Sequence, residues 1–458
     1  MFGICKIFVN LSKFCILWEQ EMIKIQKYSE IEDAFFAGRD FGDSIESVNA
    51  VLKDVKSRGD EALKEYGAKF DKIDLASFEI SQDTLKASAD KMKAENKELF
   101  DALCYSRDLA MKFALKQKEC FYDFEEEIAE GVFTGQKNIA VERAGVYVPA
   151  GRFPLVSTVV MTVVPAKAAG VSEIVLCTPP RKNPDGSTSP YADEKIMAAA
   201  YICGVTRAFA VGGAQAVAAM AFGTQSIPKA DVIVGPGNKF VAEAKKSVYG
   251  NVGIDMVAGP TEVFIIADES ANPAWVAADL LAQAEHDIVA QPVMATTSAV
   301  LAEAVASEIE KQLATLPTRE TAQASIKNCG RIILCDSLEQ AAEAANRKAP
   351  EHLELAMEAG AERDKIASLC KNYGSLFIGH ESAEVFGDYA AGLNHTLPTS
   401  ASARFTGGLS VRVFIKTVTT LRTVAGSSGA VKSAEAAGIL GDAEGLAAHA
   451  RAARLRLR

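Results

Sequence analysis

The fold is decided by AFAVGGAQAVAAMAFGTQSIPKADVIVGPGN (208–238). Its first residues form a short apolar run that ends in two glycines, and an alanine-rich helical pattern follows. A second apolar run then ends in GPGN (235–238). A strand, a tight turn and a helix in repetition predict βαβ units and therefore a parallel sheet.

The same alternation recurs along most of the chain after residue 140. Further predicted strands are GVYVPAG (145–151), EIVLCTPP (173–180), VFIIAD (263–268), VMATTS (293–298), RIILCD (331–336) and SLFIG (375–379). Residues 30–130, and the alanine-rich end of the chain from about residue 421, have helical patterns instead. We therefore predict an α/β protein with parallel sheets and small helical segments at both ends.

Length, composition and charge exclude several classes of protein. A chain of 458 residues is longer than one core usually spans, which predicts two or more domains. Apolar residues make up 49% and charged residues 24%, as in soluble globular proteins. The net charge of -10 disfavours nucleic acid and anionic membranes as partners. No segment predicts a transmembrane helix.

The nine cysteines are scattered and form no CxxC pair. This pattern is neither a disulfide framework nor a zinc ribbon, so we expect small buried side chains in a reducing compartment, the cytoplasm. Residues 1–21 are apolar-rich, but Lys6 and Lys13 interrupt the run and no cleavage site follows. A start at Met22 after a dispensable extension is the alternative to a targeting signal.

Two glycine-rich turns are candidates for cofactor binding. In GGAQ (212–215) and GPGN (235–238), small residues separate a strand from a helix, so backbone N–H groups can approach a phosphate or ribose. Gln215 and Asn238 are the amides that could reach a cofactor. Neither turn matches GxGxxG or the P-loop, and glycines that simply end a strand are the alternative.

NPAWVAADLLAQAEHD (272–287) predicts a helix with Asn272 as its N-cap and Pro273 in its first turn. Gln283 and His286 are three residues apart, so they share a face near the helix end. Imidazole nitrogen and amide oxygen can both bind zinc. The alternative is an ordinary polar helix end.

KAPEHLEL (348–355) has the pattern of a helix start, with Pro350 in the first turn. The positive end of a helix dipole would keep His352 neutral and able to accept a proton. Glu351 could activate water. The alternative assigns Glu351 only a favourable charge in the first turn.

The remaining candidates lie in the last quarter of the chain. FGDYAAGLNHTLPT (386–399) predicts a polar loop that holds Asp388 and His395. Glu444 and His449 lie in the helical tail, where an exposed histidine is the alternative. The chain has five histidines, and four of them fall within these candidate segments.

Taken in order, these strings resemble the histidinol dehydrogenase family. The matching strings are ERAGVYVPAG, GGAQAVAAMAFGT, DVIVGPGN, IDMVAGPTEV, DLLAQAEHD, APEHLEL and GDYAAGLNHTLPTSASAR. They run from about residue 140 to 410, and the resemblance resumes around Glu444 and His449. Two departures are Thr261, where the family usually has Ser, and Pro149-Ala150-Gly151, where it has PGG.

The resemblance implies a role for each candidate residue. The implied zinc ligands are Gln283, His286, Asp388 and His449, with one zinc ion per subunit. Glu351 and His352 are the implied acid/base pair. Thr261, His395 and Glu444 would surround the substrate together with His352 and the zinc ligands, and Tyr147, Gln215 and Asn238 would contact NAD.

The resemblance also implies a domain arrangement and a homodimer. Two large domains would resemble incomplete Rossmann folds. The implied parts are an N-terminal arm (1–42), a discontinuous metal-binding and catalytic domain (43–146 and 263–400), an NAD-binding domain (147–262) and a helical tail (401–458). The tail would be swapped onto a second copy of the chain, so that His449 completes the neighbour's site.

The implied reaction is the zinc- and NAD-dependent four-electron oxidation of L-histidinol to L-histidine through L-histidinal. In our hypothesis His352 takes the alcohol proton, and Glu351 activates the water that attacks the aldehyde. The matching strings contain no cysteine, which argues against a thiohemiacetal. Alternatives are a dehydrogenase of another small alcohol such as a sulfonated diol, a non-enzymatic metal-binding protein, and a generic Rossmann-type reductase.

Overall fold

A computed structural model describes residues 23–38, 44–150 and 154–457. The predicted extension (1–21), the alternative start at Met22 and Gly151 lie outside the described residues. The strands are β1 (Lys24–Lys27), β2 (Glu79–Ile80), β3 (Phe124–Ala129), β4 (Val132–Ala140), β5 (Arg143–Tyr147), β6 (Glu173–Thr178), β7 (Arg207–Ala210), β8 (Val232–Val234), β9 (Gly253–Ile254), β10 (Glu262–Ala267), β11 (Gln291–Thr296), β12 (Arg331–Leu334), β13 (His352–Ala356), β14 (Ser375–Ile378) and β15 (Ile415–Thr423).

The helices make up most of the remaining regular structure. They are α1 (Asp33–Phe36), α2 (Ile45–Arg58), α3 (Asp60–Tyr66), α4 (Gln82–Glu95), α5 (Lys97–Lys118), α6 (Val156–Ala169), α7 (Glu194–Cys203), α8 (Gly213–Phe222), α9 (Lys239–Val248), α10 (Pro273–Ala284), α11 (Ala299–Leu313), α12 (Arg319–Cys329), α13 (Leu338–Lys348), α14 (Ala361–Leu369), α15 (Glu384–Tyr389), α16 (Ser428–Ala443) and α17 (Ala447–Arg454). Within the described ranges, no helix is long and apolar enough to cross a membrane.

The chain divides into two compact units. Unit 1 comprises residues 1–42, 256–388 and 397–408, and unit 2 comprises residues 43–255, 389–396 and 409–458. We expected residues 43–146 to join residues 263–400. They group with unit 2 instead, because α4 packs on α7, α5 packs on α6, and β5 pairs with β6 and β8.

Unit 1 is built on a parallel sheet. Among the described residues its strand order is β1-β12-β11-β10-β13-β14. Side chains alternate along β10: Val263 and Ile265 pack with α10, α11 and α12, while Phe264 and Ile266 pack with α13 and α14. Helices therefore cover both faces, and a strand buried on both faces is apolar throughout. This accounts for the uninterrupted apolar run VFIIA, and it confirms the predicted βαβ organisation.

Unit 2 repeats this strand order. Its described strands lie in the order β2-β7-β6-β5-β8-β9, in which β2 is the antiparallel edge strand. Apart from the edge strands β1 and β2, both sheets follow one rule: the strand that comes first along the chain (β10 or β5) lies between the second and the fourth. The two-residue strand β2 pairs at Phe209 and Ala208 and covers the edge of β7. The predicted strands around residues 146, 175, 209 and 233 are all confirmed.

A third sheet corrects two helical predictions. β15 pairs antiparallel with β4, and β4 with β3, all within unit 2. Residues 124–129 of the predicted helical region are therefore a strand, and the tail is not entirely helical. The sequence IKTVTTLRT of β15 is rich in β-branched residues, which favour a pleated surface over a helix. The helical prediction holds for α16 and α17, which pack on each other.

Candidate active site

The charged candidates of unit 1 meet where two neighbouring strands begin. Thr261 precedes β10, Glu351 precedes β13, and His352 is the first residue of β13. The parallel register pairs Val263 with His352, which brings the two strand starts side by side. The cluster therefore lies at the amino ends of the strands.

The prediction of a helix start at Pro350 is wrong. α13 ends at Lys348, and Ala349 adopts a left-handed conformation with φ of 50°. Proline cannot continue a helix past such a cap, so the chain turns and enters β13. His352 consequently does not lie at the positive end of a helix, and the dipole argument for its neutrality fails. Its surroundings decide its charge instead.

Hydrogen bonds to the backbone of one residue, Glu262, fix both predicted acid/base residues. Glu351 Oε2 accepts from Glu262 N at 3.0 Å and from Thr261 Oγ1 at 2.5 Å. His352 Nδ1 lies 3.2 Å from Glu262 O. A carbonyl oxygen can only accept, so Nδ1 carries a proton and Nε2 is the nitrogen that exchanges one. His352 Nε2 lies 3.5 Å from Asp388 Oδ1.

Burial and charge act in opposite directions on these groups. Burial lowers the pKa of His352, but the carboxylates of Glu351, Asp388 and Glu384 outweigh this effect and raise it well above its ordinary value. Burial raises the pKa of Glu351 to about 7, although the charge of His352 and the hydrogen bonds from Thr261 and Glu262 oppose it. A carboxyl group with a pKa near neutrality is suited to exchange protons during a reaction.

The site extends to an amide and to two further zinc candidates. Gln283 lies in the last turn of α10, whose N-cap Asn272 accepts from Ala274 N as predicted. Gln283 Nε2 donates to Thr261 Oγ1 at 2.6 Å. Hydrogen bonds and short polar contacts thus form one cluster of Gln283, Thr261, Glu351, His352 and Asp388. His286 is exposed just after α10 and makes none of these contacts.

One atom of this cluster fits a cation. Gln283 Oε1 is buried, and it has no hydrogen-bond partner within the described part of the chain. A buried acceptor without a partner is costly, and coordination of a cation would offset that cost. Among the described residues, no group of three or more His, Cys, Asp or Glu side chains could hold a metal ion. Of the predicted ligands of those types, His286 and Asp388 belong to unit 1 and His449 belongs to unit 2.

Three other candidates belong to unit 2. His395 Nε2 lies 3.2 Å from Ser157 Oγ. Glu444 directly follows α16, and His449 lies on α17; both side chains are exposed. Glu444 and His449 therefore belong to unit 2, whereas Thr261, Glu351 and His352 belong to unit 1.

The predicted cofactor residues of unit 2 surround the start of α8. Tyr147 ends β5, and its hydroxyl oxygen accepts from Gly213 N at 3.1 Å. Gly213 has φ of 65°, a conformation that favours glycine. The Gln215 side chain folds back beside it, since a Cβ on Gly213 would lie 2.7 Å from Gln215 Oε1. Burial raises the pKa of Tyr147 to about 12, so its hydroxyl stays neutral.

A buried ion pair holds the second predicted turn. Gly235 N donates to Asp255 Oδ2 at 2.8 Å, and Lys245 Nζ donates to Gly235 O at 2.9 Å. Lys245 and Asp255 form an ion pair with side chains only 3% and 0% exposed. Asn238 Oδ1 caps α9 by accepting from Phe240 N at 3.0 Å. The turn is therefore rigid, and it lies at the carboxyl end of β8.

A groove of about 270 Å³ adjoins the Gln215 turn within unit 2. Its lining is mostly apolar and includes Phe78, Pro180 and Val211, together with Gln215 and Asp71. Apolar walls with a few polar groups are typical of ligand sites.

The sequence analysis missed three charged residues of the unit 1 site. Glu262 and Lys348 form a buried ion pair at 3.2 Å, with both side chains 1% exposed. Glu384 Oε2 lies 3.8 Å from His352 Nδ1. A carboxylate that opens the apolar strand EVFIIA was a signal for Glu262, because a charge there needs a buried partner. Nothing in the sequence pattern indicated Glu384.

Comparisons with known proteins agree on one family. The family model described as histidinol dehydrogenase matches residues 37–457. A histidinol dehydrogenase of Aromatoleum aromaticum is 45% identical over 90% of this chain and 91% of its own length. One of Streptococcus mutans is 44% identical over 90% of this chain and 92% of its own length. The crystal structure of histidinol dehydrogenase from Elizabethkingia anophelis superposes with a TM-score of 0.87 at 36% identity, covering 95% of this chain and 98% of that one.

Proposed function

The chain belongs to the histidinol dehydrogenase family, and from this premise we propose that it oxidises L-histidinol to L-histidine through L-histidinal. Membership makes the protein an oxidoreductase that acts on a CH–OH group, in the last step of histidine biosynthesis. We propose NAD as the oxidant and one zinc ion per subunit. We further propose that it works as a cytoplasmic homodimer, with neither nucleic acid nor membrane as a partner.

The observation that carries the proposal is the buried pair of Glu351 and His352, linked through Thr261 to Gln283. A two-step oxidation of an alcohol needs a group that takes a proton twice and a group that activates water once. His352 suits the first role, because Glu262 O holds Nδ1 and leaves Nε2 for exchange. The surrounding carboxylates raise its pKa, so Nε2 would accept a proton once a cation held by Asp388 offsets their charge. Glu351 suits the second role, because its carboxyl group is held in place and has a pKa of about 7.

Atoms and electrons balance over the two steps. In the first step, His352 accepts the hydroxyl proton while the carbon gives up a hydride, which leaves the aldehyde. In the second step, Glu351 takes a proton from water as its oxygen bonds to the aldehyde carbon. Once His352 has released the first proton to solvent, it accepts a hydroxyl proton of the hydrate as the second hydride leaves, and the carboxylate forms.

The absent groups would be held by residues that fit them. Gln283, His286, Asp388 and His449 of a second copy would hold zinc, and the partnerless oxygen of Gln283 supports this set. Bound zinc would orient the amine and imidazole of histidinol and polarise the alcohol. Tyr147, Gln215 and Asn238 would contact NAD, and two successive NAD molecules would each accept one hydride. Thr261, His395 and Glu444 would complete the substrate site.

The stoichiometry of NADH formation tests this function. Full-length protein given limiting L-histidinol should form two NADH per molecule, lose this activity with a chelator and regain it with zinc. A sulfonated diol should not be turned over at a comparable rate. One NADH per histidinol, or efficient turnover of the diol, would reject the proposed reaction.

A mixing experiment tests the shared site. His352→Asn and His449→Asn variants should each be nearly inactive alone. After dissociation and reassociation of an equal mixture, half of the dimers are mixed, and each mixed dimer has one intact site if the tail is swapped. We therefore expect about a quarter of wild-type activity. If the variants exchange subunits and no activity returns, His449 belongs to the site of its own chain or lies outside the site.

A further inference from the structure

Thr261 occupies a central position in the unit 1 cluster. Its hydroxyl group lies between the amide of Gln283, at 2.6 Å from Nε2, and the carboxyl group of Glu351, at 2.5 Å from Oε2. The resemblance assigned Thr261 only to the surroundings of the substrate. Its contacts instead connect a predicted zinc ligand to the predicted water-activating group.

The direction of these hydrogen bonds follows from counting protons. Glu351 Oε2 already accepts from Glu262 N, so it acts as an acceptor toward Thr261 as well. A threonine hydroxyl has one proton. Once Thr261 donates that proton to Glu351, its oxygen can only accept from Gln283. The amide must then present its NH₂ group to Thr261, and Oε1 becomes the atom that faces away.

That orientation leaves Gln283 Oε1 without a hydrogen-bond partner in the described residues, although Gln283 is 1% exposed. Only the oxygen of an amide binds a cation; the NH₂ group would repel one. A flip of the amide by 180° would therefore abolish its use as a ligand. Something must prevent that flip, and the Thr261 hydroxyl is the group in contact with the amide.

We propose that Thr261 is a positioning residue that uses the Glu351 carboxylate to orient the Gln283 amide oxygen toward the zinc ion. This inference rests on the proposed function, because it presupposes zinc at Gln283. It adds a coupling: zinc retention depends on the hydrogen-bonding state of Glu351, a residue that is not a ligand. The methyl group of Thr261 has no part in the coupling, so serine would serve equally well.

The coupling predicts how a change at position 351 reaches the metal. In Glu351→Gln, the new NH₂ group can donate to Thr261 Oγ1. The Thr261 hydroxyl can then donate its proton to Gln283. The amide oxygen accepts this hydrogen bond and is therefore held away from the cation. Glu351→Gln should therefore weaken zinc binding even though no ligand has changed.

The test measures zinc affinity of the full-length protein by competition with a chromophoric chelator, with zinc alone as the probe and no histidinol present. Thr261→Val should bind zinc roughly 10- to 100-fold more weakly than wild type, the usual effect of losing a group that orients a ligand. Thr261→Ser should stay within about threefold of wild type, because it keeps the hydroxyl. Glu351→Gln should weaken binding in the same direction as Thr261→Val.

A matched control and a double variant complete the design. Thr158→Val replaces a buried threonine of unit 2 whose hydroxyl oxygen has no partner in the described part of the chain, and it should leave zinc affinity unchanged. Thr261→Val/Glu351→Gln should bind zinc no more weakly than Thr261→Val alone, since both act through one hydrogen-bond chain. Additive losses would overturn the coupling.

The outcomes separate the two proposals. Wild-type protein that binds no zinc would reject the proposed function. Wild-type protein that binds zinc, with unchanged affinity in Thr261→Val or in Glu351→Gln, would reject the positioning role alone. If Thr261→Val does not fold, as judged by circular dichroism, the Glu351→Gln measurement still decides, because that variant keeps the side-chain volume.

Discussion

The two units share one strand order but place their candidate residues at opposite ends of the strands. In unit 2, Tyr147, Gly213 and Gly235 lie at the carboxyl ends of β5, β7 and β8. In unit 1, Glu351 and His352 lie at the amino end of β13. Ligands of open α/β sheets usually bind at the carboxyl ends. Unit 2 follows this rule, and unit 1 does not.

The difference shows which groups each edge can offer. At the carboxyl ends of the unit 2 strands, glycines such as Gly213 at the start of α8 let a nucleotide approach the backbone closely. The amino edge meets the last turn of α10, which brings the Gln283 side chain to Thr261. At these amino ends the Glu262 N–H already donates to Glu351, so side chains must supply the chemistry. The candidate residues of unit 1 are accordingly mostly charged, whereas Tyr147, Gln215 and Asn238 of unit 2 are neutral.

The largest expected effect separates chemistry from cofactor binding. His352→Asn should lower kcat about 10²- to 10⁴-fold, because it removes the proton acceptor. Gln215→Ala should mainly raise KM for NAD and change kcat much less. Steady-state kinetics at saturating histidinol measures both. If both variants changed the same parameter to the same extent, the assignment of chemistry to unit 1 and of cofactor binding to unit 2 would fail.

The unit 1 pair can also be divided by half-reaction. His352→Asn should depress the oxidation of histidinol more than that of supplied histidinal. Glu351→Gln, measured at saturating zinc, should mainly depress turnover of histidinal, by about 10²-fold. Stopped-flow formation of NADH from each substrate measures this. Equal losses in both half-reactions would contradict the separate roles.

Each unit contains one buried lysine–carboxylate pair next to its candidate residues, and these pairs offer a matched comparison. Lys348 pairs with Glu262 in unit 1, and Lys245 pairs with Asp255 in unit 2. Replacing either lysine by Met leaves a buried carboxylate uncompensated, which should cost about 3–5 kcal/mol of stability. Thermal unfolding followed by circular dichroism measures this cost.

The two lysine variants should differ in their kinetics. Lys348→Met should lower kcat, because the Glu262 peptide holds both Glu351 and His352. Lys245→Met should raise KM for NAD, because Gly235 loses its clamp. The two variants act as each other's control for general destabilisation. Identical kinetic profiles would mean that both pairs serve stability alone.

The smallest expected effect concerns Tyr147, whose neutral hydroxyl lies at the carboxyl end of β5 in unit 2. Burial raises the pKa of Tyr147 to about 12, above its ordinary value of 10. The unfolded chain therefore loses the tyrosine proton first, and stability falls as pH rises above about 10. Tyr147→Phe has no phenolic proton at this position, so its stability does not fall for this reason. Between about pH 8 and pH 10.5, wild type should lose about 1 kcal/mol relative to Tyr147→Phe, as measured by urea unfolding.

The stability difference between wild type and Tyr147→Phe should change with pH in one direction only. Below pH 10, Tyr147→Phe should be the less stable protein by about 1 kcal/mol, because Gly213 N loses its acceptor. The stability difference between the two proteins should therefore shrink as pH rises. A difference that grows with pH would mean that Tyr147 ionises more easily when folded than when unfolded.

Much of the fold could be predicted from local patterns. Apolar runs that end in glycine or proline predicted β5, β6, β7 and β8, and the Asn272-Pro273 start of α10 is confirmed. β13 was missed because its pattern APEHLEL imitates a helix start. A parallel strand between β10 and β14 receives its hydrogen bonds from residues distant in sequence, so tertiary pairing overrides the local signal.

The sequence by itself determined the family, the βαβ texture and the identities of the candidate residues, because each of these is carried by short strings of neighbouring residues. Only the tertiary structure decided that Glu351 and His352 share the Glu262 peptide, that Thr261 connects Gln283 to Glu351, and that residues 43–146 group with unit 2. Hydrogen bonds and burial join groups that are far apart along the chain. Their strength depends on distance in space, which the order of residues does not specify.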